Sequence, residues 1–169
     1  MFSTFEEYNE YYTDISCPMD DIVGLMKQRH LGEKNVHLLD IGCGQARSID
    51  VFLKLDFPLK EVSLIEPNPF MVATWKDREF RKRGDLKVNT YVDTLEEVVR
   101  TKEIKPNSID YMVAYHSLYH VDLKQLEEAI VGAYSWLKPT QGMHFIVFRV
   151  RVEILSFSQT KNGILLNTK

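Results

Sequence analysis

The segment most informative about the fold reads Leu38-Leu39-Asp40-Ile41-Gly42-Cys43-Gly44-Gln45-Ala46. A short apolar run that ends in two glycines predicts a buried β-strand followed by a tight turn into a helix, because glycine adopts backbone conformations that other residues avoid. Glycines there also let a ligand approach the backbone closely. The dinucleotide-binding pattern Gly-x-Gly-x-x-Gly needs a third glycine where Arg47 stands, so the segment fits Asp-x-Gly-x-Gly-x-Ala better. An ordinary strand-to-helix turn is the alternative that this segment alone leaves open.

Strands and helices alternate outward from this segment. Such alternation predicts an α/β fold, a doubly wound, mostly parallel sheet with helices on both faces, whose ligands bind beyond the carboxyl ends of the strands. A helical region is predicted over 1–32, before the first strand. The predicted strands cover 36–41, 61–66, 87–92, 108–115 and 143–150, and the predicted helices after the first strand cover 48–55, 70–80, 94–101 and 123–137.

The length and the charge of the chain limit the classes of protein to which it can belong. A chain of 169 residues predicts a single domain, since domains typically hold about 100–200 residues. With 21 basic and 24 acidic side chains the net charge is −3, which disfavours a nucleic-acid partner. No apolar run is long enough to span a membrane, and 2 cysteines are typical of the reduced cytoplasm rather than of a disulfide framework. We therefore expect a cytoplasmic protein with no nucleic-acid or membrane partner.

An acidic residue ends the second predicted strand. Glu66 follows Asp40 by 26 residues, which places it beside the glycine segment at the carboxyl edge of the sheet. A carboxylate in that position can accept hydrogen bonds from both hydroxyls of a ribose. The spacing therefore favours a nucleoside ligand, and a solvated strand end is the alternative.

Two histidines follow the fourth predicted strand. His116 and His120 lie four residues apart, so they would share one face of a helix. No His-Glu-x-x-His motif or cysteine cluster accompanies them, so no metal site is predicted. Either imidazole could act as a general base or orient an acceptor, since imidazole titrates near neutral pH, and a structural role is the alternative. Cys43 is interpreted as a small loop residue, because no base lies near it in the sequence.

Three segments together resemble class I S-adenosylmethionine-dependent methyltransferases. Residues 38–46 are similar to the glycine motif of that family, 66–69 to the segment after its second strand, and 109–120 to its fourth motif. The resemblance implies a Rossmann-like methyltransferase fold and S-adenosyl-L-methionine as the cofactor. Methyltransferases that act on nucleobases or on protein glutamine carry Asn/Asp-Pro-Pro-Tyr/Phe at the fourth motif. This chain does not, which again disfavours nucleic acid as the acceptor.

The resemblance also implies a set of cofactor contacts. The backbone of the two glycines would bind the amino-acid tail, and the acid of the first strand would orient its ammonium group. Residues after the second, third and fourth strands would hold the ribose and the adenine, with Met71 and Tyr115 on the two faces of the adenine ring and Thr94 at its edge. The implied contacts are Asp40, Gly42, Gly44, Glu66, Met71, Thr94, Tyr115 and His116.

Within the family, the chain resembles the histamine N-methyltransferase branch, on residues 8–19, 65–67 and 109–121. This resemblance implies methyl transfer to a small-molecule amine or imidazole nitrogen, with Asp14 and Tyr119 as candidate contacts of the acceptor. A carboxylate at the mouth of a dry cleft would attract a cationic amine. A surface acid that flanks a helix is the alternative for Asp14.

The C-terminal segment departs from the family pattern. Class I members continue after the fifth strand with a helix and two strands, whereas only 151–169 follow here. Asn162-Gly163 predicts a tight hairpin turn and hence a short antiparallel edge strand. The predicted organisation is one domain with an N-terminal helical segment, a cofactor-binding core and a short tail, over 1–32, 33–150 and 151–169.

We therefore expect a methyltransferase whose acceptor-binding half is shortened. Two other functions follow as alternatives. One is a shortened, catalytically weak or inactive methyltransferase-like binding module. The other is a nicotinamide oxidoreductase, which Arg47 disfavours because it replaces the third glycine of the dinucleotide pattern.

Overall fold

The computed structural model describes residues 19–29, 35–115, 117, 123–139, 146–149, 154–160 and 163–168. Strands and helices alternate through most of these residues, as the sequence predicts. In chain order the elements are α1 (Met19–Arg29), β1 (Val36–Ile41), α2 (Arg47–Lys54), β2 (Leu59–Ile65), α3 (Pro69–Ala73), a 3-10 helix (Thr74–Asp77), α4 (Glu79–Lys82), β3 (Lys87–Tyr91), α5 (Leu95–Thr101), β4 (Tyr111–Val113), α6 (Leu123–Tyr134), β5 (Ile146–Arg149), β6 (Ile154–Thr160) and β7 (Gly163–Thr168).

Four strands form one parallel sheet in the order β3-β2-β1-β4. Leu38 in the central strand β1 lies opposite Val62 of β2 on one side and opposite Tyr111 of β4 on the other. The chain therefore adds β2 and β3 to one side of β1 and then crosses over to place β4 on the other side. Ligands of open α/β sheets bind at such a reversal of strand order. The predicted parallel sheet is confirmed, and its reversal lies between β1 and β4.

Helices cover both faces of this sheet. Successive residues of a strand point to opposite faces, so Leu38 packs in the cluster of α1 and α2 whereas Leu39 packs in the cluster of α5 and α6. In α1, Met19, Val23 and Met26 recur at helical spacing, and all three are buried. Burial of each such side chain contributes about 1.5–3 kcal/mol. The two apolar layers thus fix the positions of the strand ends, where the candidate site lies.

The three remaining strands pair with one another, antiparallel and in the order β5-β6-β7. Ile146 lies opposite Phe157, and Thr160 lies opposite Gly163. β5 lies next to β4. Of the helices that the structure describes, none is both long enough and apolar enough to cross a lipid bilayer.

The helix predicted over 70–80 is not continuous, so this prediction is wrong in detail. The segment divides into α3, the 3-10 helix and α4, and Arg78 between the last two has an extended backbone with ψ 145°. The Thr74 hydroxyl donates to the Met71 carbonyl at 2.7 Å, a local bond that often accompanies a helix bend. The break lets Trp75 and Phe80 both reach the core. On a straight helix, two residues five positions apart point about 140° away from each other.

The helix predicted over 123–137 ends three residues early, at Tyr134. The Ser135 hydroxyl donates to the Gly132 carbonyl at 2.8 Å, which competes with continuation of the helix. The prediction that Leu137 belongs to this helix is therefore wrong. Leu137 instead forms an isolated β-bridge with Ile109 beside the sheet.

The fourth strand is also shorter than its predicted span of 108–115. Regular pairing with β1 is confined to Tyr111–Val113. The backbone before it is nonetheless held in place, because the Asp110 amide donates to the His37 carbonyl at 2.9 Å. β4 thus ends beside the glycine segment even though only three of its residues pair as a strand.

Candidate functional site

The loop between β1 and α2 requires glycine at its first position for two separate reasons. Gly42 has φ +63°, in the left-handed region where side chains are strained. A Cβ atom added to Gly42 would also lie closer than 3.0 Å to the Cβ atom of Ser117, which follows β4. The Gly42 amide donates to the Ile65 carbonyl at 2.7 Å, which ties the loop to the end of β2. The ends of β1, β2 and β4 therefore converge on this glycine.

Glu66 joins the glycine loop to the segment after β2. Its Oε2 accepts a hydrogen bond from the Gly44 amide at 2.8 Å, and its Oε1 accepts one from the Asn68 amide at 2.9 Å. Burial raises the pKa of Glu66, and these two backbone donors oppose that rise. Each carboxylate oxygen can accept a second hydrogen bond, so the side chain retains the capacity to receive two hydroxyl groups. The predicted pairing of Glu66 with the glycine loop is thus present in the geometry.

Asp40 is a buried acid directly beneath the same loop. It is 2% exposed, and the Ser48 hydroxyl at the start of α2 donates to its Oδ2. Burial raises the pKa of Asp40 to about 7, and the charge of Glu66 adds to the rise while the Ser48 hydrogen bond opposes it. A cationic group bound nearby would favour the ionised carboxylate. The two acids therefore make this end of the sheet suited to a ligand that carries positive charge.

Trp75 also holds the glycine loop between β1 and α2 in place. Its indole Nε1 donates to the Gly44 carbonyl at 2.8 Å, and the ring is fully buried. Met71, one helical turn earlier, is also buried. Trp75 is not among the contacts predicted from the sequence, although its spacing of four from Met71 would place both side chains on one face of a helix. Ser48 and Ser117 are likewise absent from the predicted contacts, although Ser117 lies within the segment 109–120 that resembles the fourth motif.

Of the remaining residues predicted to contact the cofactor or the acceptor, the structure describes only Thr94 and Tyr115. Thr94 follows the end of β3 and caps α5, with its Oγ1 accepting from the Glu97 amide at 3.3 Å, and its side chain is exposed. Tyr115 follows β4, is half-buried, and packs against the apolar cluster of α1 and α2. The other candidate residues lie outside the described part of the chain, namely Asp14, His116, Tyr119 and His120.

Cys43 lies inside the glycine loop and has the properties of a packing residue. Burial raises the pKa of the Cys43 thiol, and the charges of Asp40 and Glu66 raise it further. The neutral thiol is therefore favoured, which opposes a nucleophilic role. Across the described residues, no group of three or more histidine, cysteine or acidic side chains is arranged to hold a metal ion.

A cleft of about 480 Å³ lies at the opposite end of the sheet, near the amino ends of β1, β2 and β3. Its polar groups bond mainly to one another. The two ring nitrogens of His37 contact the Ser108 carbonyl and the Ser63 hydroxyl, both at 2.9 Å, and Lys138 binds both carboxylate oxygens of Asp110. Because these donors and acceptors satisfy one another, we interpret the cleft as a structural feature whose hydrogen bonds stabilise the start of the sheet. The glycine loop remains the better candidate site.

A parallel sheet, a left-handed glycine loop and a buried acid after β2 define a Rossmann-like α/β domain with a candidate nucleoside site at its strand ends. Residues 39–143, more than half of the chain, match the profile of a family described as a methyltransferase domain. The chain belongs to this methyltransferase domain family. A search of curated protein sequences gave no significant match.

Solved structures of methyltransferases share the fold. A putative S-adenosyl-L-methionine-dependent methyltransferase from Methanococcus maripaludis is 17% identical, with a TM-score of 0.60 over 84% of this chain and 61% of its own. An S-adenosylmethionine-dependent methyltransferase from Clostridium acetobutylicum is 12% identical, with a TM-score of 0.59 over 97% and 77%. Phosphoethanolamine N-methyltransferase 2 from Haemonchus contortus, in complex with S-adenosyl-L-methionine, is 24% identical, with a TM-score of 0.54 over 76% and 28%.

These likenesses establish the fold alone, because every identity is low. The chain spans 48 to 61% of the lengths of three methyltransferase structures, from Leishmania major, Archaeoglobus fulgidus and Methanococcus maripaludis.

Proposed function

We propose that this protein binds S-adenosyl-L-methionine and transfers its methyl group to the nitrogen of a small-molecule amine or imidazole. The observation that carries the proposal is the Glu66 carboxylate, held between the Gly44 and Asn68 amides at the carboxyl ends of the strands. Membership of the methyltransferase domain family supports the same reading. So does the similar fold of the Haemonchus contortus enzyme, which was solved with this cofactor.

In this proposal the glycine loop and the two acids beside it would hold the cofactor. Glu66 accepts hydrogen bonds from the ribose hydroxyls with the lone pairs that the two amides leave free. The backbone around Gly42 and Gly44 contacts the amino-acid tail, and the Asp40 carboxylate attracts its ammonium group. Met71, Thr94 and Tyr115, with His116, complete the predicted contacts around the adenine.

When bound, S-adenosyl-L-methionine supplies an electrophilic methyl group on a sulfonium, which an acceptor nitrogen takes by in-line displacement. The protein needs to supply little covalent chemistry, so its contribution is to orient the two reactants. Asp40 and Glu66 place negative charge in a buried region, which favours a cationic cofactor over the neutral thioether that remains after transfer. His116 and His120 are the candidate bases for a protonated acceptor.

The acceptor class comes from the resemblance to the histamine N-methyltransferase branch. In this proposal Asp14 attracts a cationic amine to the mouth of the site, and Tyr119 contacts the acceptor. The net charge of −3 is also better suited to a cationic small molecule than to nucleic acid. We propose the cytoplasm as the place of the reaction, in keeping with the 2 cysteines of the chain.

A methyl-transfer assay tests the proposal. The protein is incubated with S-adenosyl-L-methionine labelled in its methyl group and with a panel of imidazoles and primary amines. We expect label in at least one acceptor, lost in Glu66→Gln and retained in Glu128→Gln, a matched change at an exposed position of α6. Cofactor binding without transfer to any acceptor would favour the alternative of a methyltransferase-like binding module, and absence of binding by the folded protein would refute the proposal.

A further inference from the structure

Ser117 lies where the strand order of the sheet reverses. It follows β4, and its Cβ, Oγ and Cα atoms are the three nearest heavy atoms to a Cβ that would be added at Gly42. The segment after β4 therefore touches the glycine loop after β1 with no space between them. Open α/β sheets bind their ligands at this position.

The Ser117 hydroxyl has no hydrogen-bond partner among the described residues, although its Oγ atom is buried. Buried polar groups in proteins are almost always paired, and an unpaired one destabilises the folded state. Alanine would fill nearly the same volume without that penalty, so packing against Gly42 does not by itself account for a hydroxyl here. A ligand group that reaches the strand ends would supply the missing partner.

The strand order β2-β1-β4 indicates which part of the cofactor the Ser117 hydroxyl would contact. Glu66 follows β2 and Ser117 follows β4, so they lie on opposite sides of β1, roughly two strand spacings or about 10 Å apart. In S-adenosyl-L-methionine, a chain of single bonds through the sulfur separates the ribose from the amino-acid group. If Glu66 holds the ribose, Ser117 would lie on the other side of Gly42, where it could hold the amino-acid group.

We propose that the Ser117 hydroxyl hydrogen-bonds the amino-acid group of S-adenosyl-L-methionine and is a cofactor-binding residue of this site. The inference rests on the proposed function, because it takes that cofactor as the ligand. A hydroxyl can donate to the carboxylate or accept from the ammonium group, so either end of the zwitterion satisfies it. The Ser117 hydroxyl, which is unpaired among the described residues, is then a group already positioned for the ligand.

Titration calorimetry with two ligands tests this assignment. S-adenosylhomocysteine carries the amino-acid group, whereas 5′-methylthioadenosine keeps the adenine, the ribose and the sulfur but lacks it. We expect Ser117→Ala and Ser117→Cys to weaken S-adenosylhomocysteine binding about tenfold or more, the loss expected for one hydrogen bond to a charged group. Both variants should bind 5′-methylthioadenosine as the wild type does. Ser135→Ala, on an exposed serine after α6, is the matched control and should change neither affinity.

A melting curve without ligand gives a second readout. Removing an unpaired buried hydroxyl should leave the melting temperature of Ser117→Ala unchanged or raise it by about 2 °C or more. A fall of several degrees would show that the hydroxyl already has a partner within the protein, and this would overturn the premise.

The outcomes of the titrations separate this inference from the proposed function. Wild-type protein that binds neither ligand would remove the proposed function and the inference together. Wild-type binding of S-adenosylhomocysteine with equal affinity in Ser117→Ala would overturn the inference alone. Equal losses for both ligands would overturn the assignment to the amino-acid group.

Discussion

Replacing Gly42 with alanine should destabilise the protein by about 2–5 kcal/mol, as the sum of two penalties. The first is conformational, because φ at Gly42 is +63° and an L-residue in the left-handed region costs roughly 1–2 kcal/mol. The second is steric, because the added Cβ would lie closer than 3.0 Å to the Cβ of Ser117. Overpacking of this kind typically costs about 1–3 kcal/mol.

Gly24→Ala makes the same chemical change at a position where the opposite effect on the free energy of unfolding is expected. Gly24 lies inside α1, and among the described residues beyond the backbone of α1 itself no heavy atom lies within 4 Å of a Cβ atom added there. Glycine within a helix is less favourable than alanine by about 0.8–1 kcal/mol. Gly24→Ala should therefore stabilise the protein by up to about 1 kcal/mol.

A double-mutant cycle separates the two penalties at Gly42. Ser117→Gly removes the Cβ atom that the new alanine would meet, but it leaves the φ angle of residue 42 unchanged. Adding Ser117→Gly to Gly42→Ala should therefore recover the steric part, about 1–3 kcal/mol, and leave the conformational part. The coupling free energy between the two changes measures the contact between the β1 and β4 ends.

Urea unfolding gives these free energies directly. Tryptophan fluorescence is a suitable signal, since Trp75 and Trp136 are both buried. By heat, each 1 kcal/mol corresponds to a change in melting temperature of about 2–4 °C for a domain of this size. A Gly42→Ala variant as stable as the wild type would refute the loop geometry. A coupling free energy near zero would refute the contact with Ser117.

Asp40→Asn should remove a pH dependence of stability. Because folding raises the pKa of Asp40 from 3.8 to about 7, the folded state holds a proton that the unfolded state releases, so stability falls as the pH rises through that window. Urea midpoints at about pH 5 and about pH 8 check this, and an unchanged pH slope in the variant would contradict it. Trp75→Phe leaves the Gly44 carbonyl without its indole donor at 2.8 Å and should cost about 1–3 kcal/mol. Trp136→Phe is the control for the ring change, since its indole bonds to no described residue, and equal losses in the two variants would count against the hydrogen bond.

The parallel sheet could be predicted because each strand is signalled locally. Apolar runs such as 36–41 are typical of strands buried on both faces, and helical patterns separate them. The pairing of Glu66 with the glycine loop was accessible for the same reason, since both follow parallel strands and must meet at one edge. Here the linear order of the elements already determines which residues become neighbours.

Features that depend on side-chain packing could not be predicted. The spacing of Met71 and Trp75 suits a continuous helix, and only the demand that Phe80 also reach the core explains the break at Arg78. The contact of Ser117 with Gly42 joins residues far apart in the chain through the crossing from one side of the sheet to the other. No local pattern encodes such a contact.

Titration of the protein with S-adenosylhomocysteine and with NAD decides whether the Gly42–Glu66 site holds the nucleoside of S-adenosyl-L-methionine. We predict that the wild type binds S-adenosylhomocysteine and not NAD. Glu66→Gln keeps the shape of the side chain but loses the charged carboxylate that accepts hydrogen bonds from the ribose hydroxyls. This variant should bind S-adenosylhomocysteine at least about tenfold more weakly. Glu128→Gln should leave binding unchanged. Selective binding of NAD, or unchanged affinity for S-adenosylhomocysteine in a folded Glu66→Gln variant, would contradict the account.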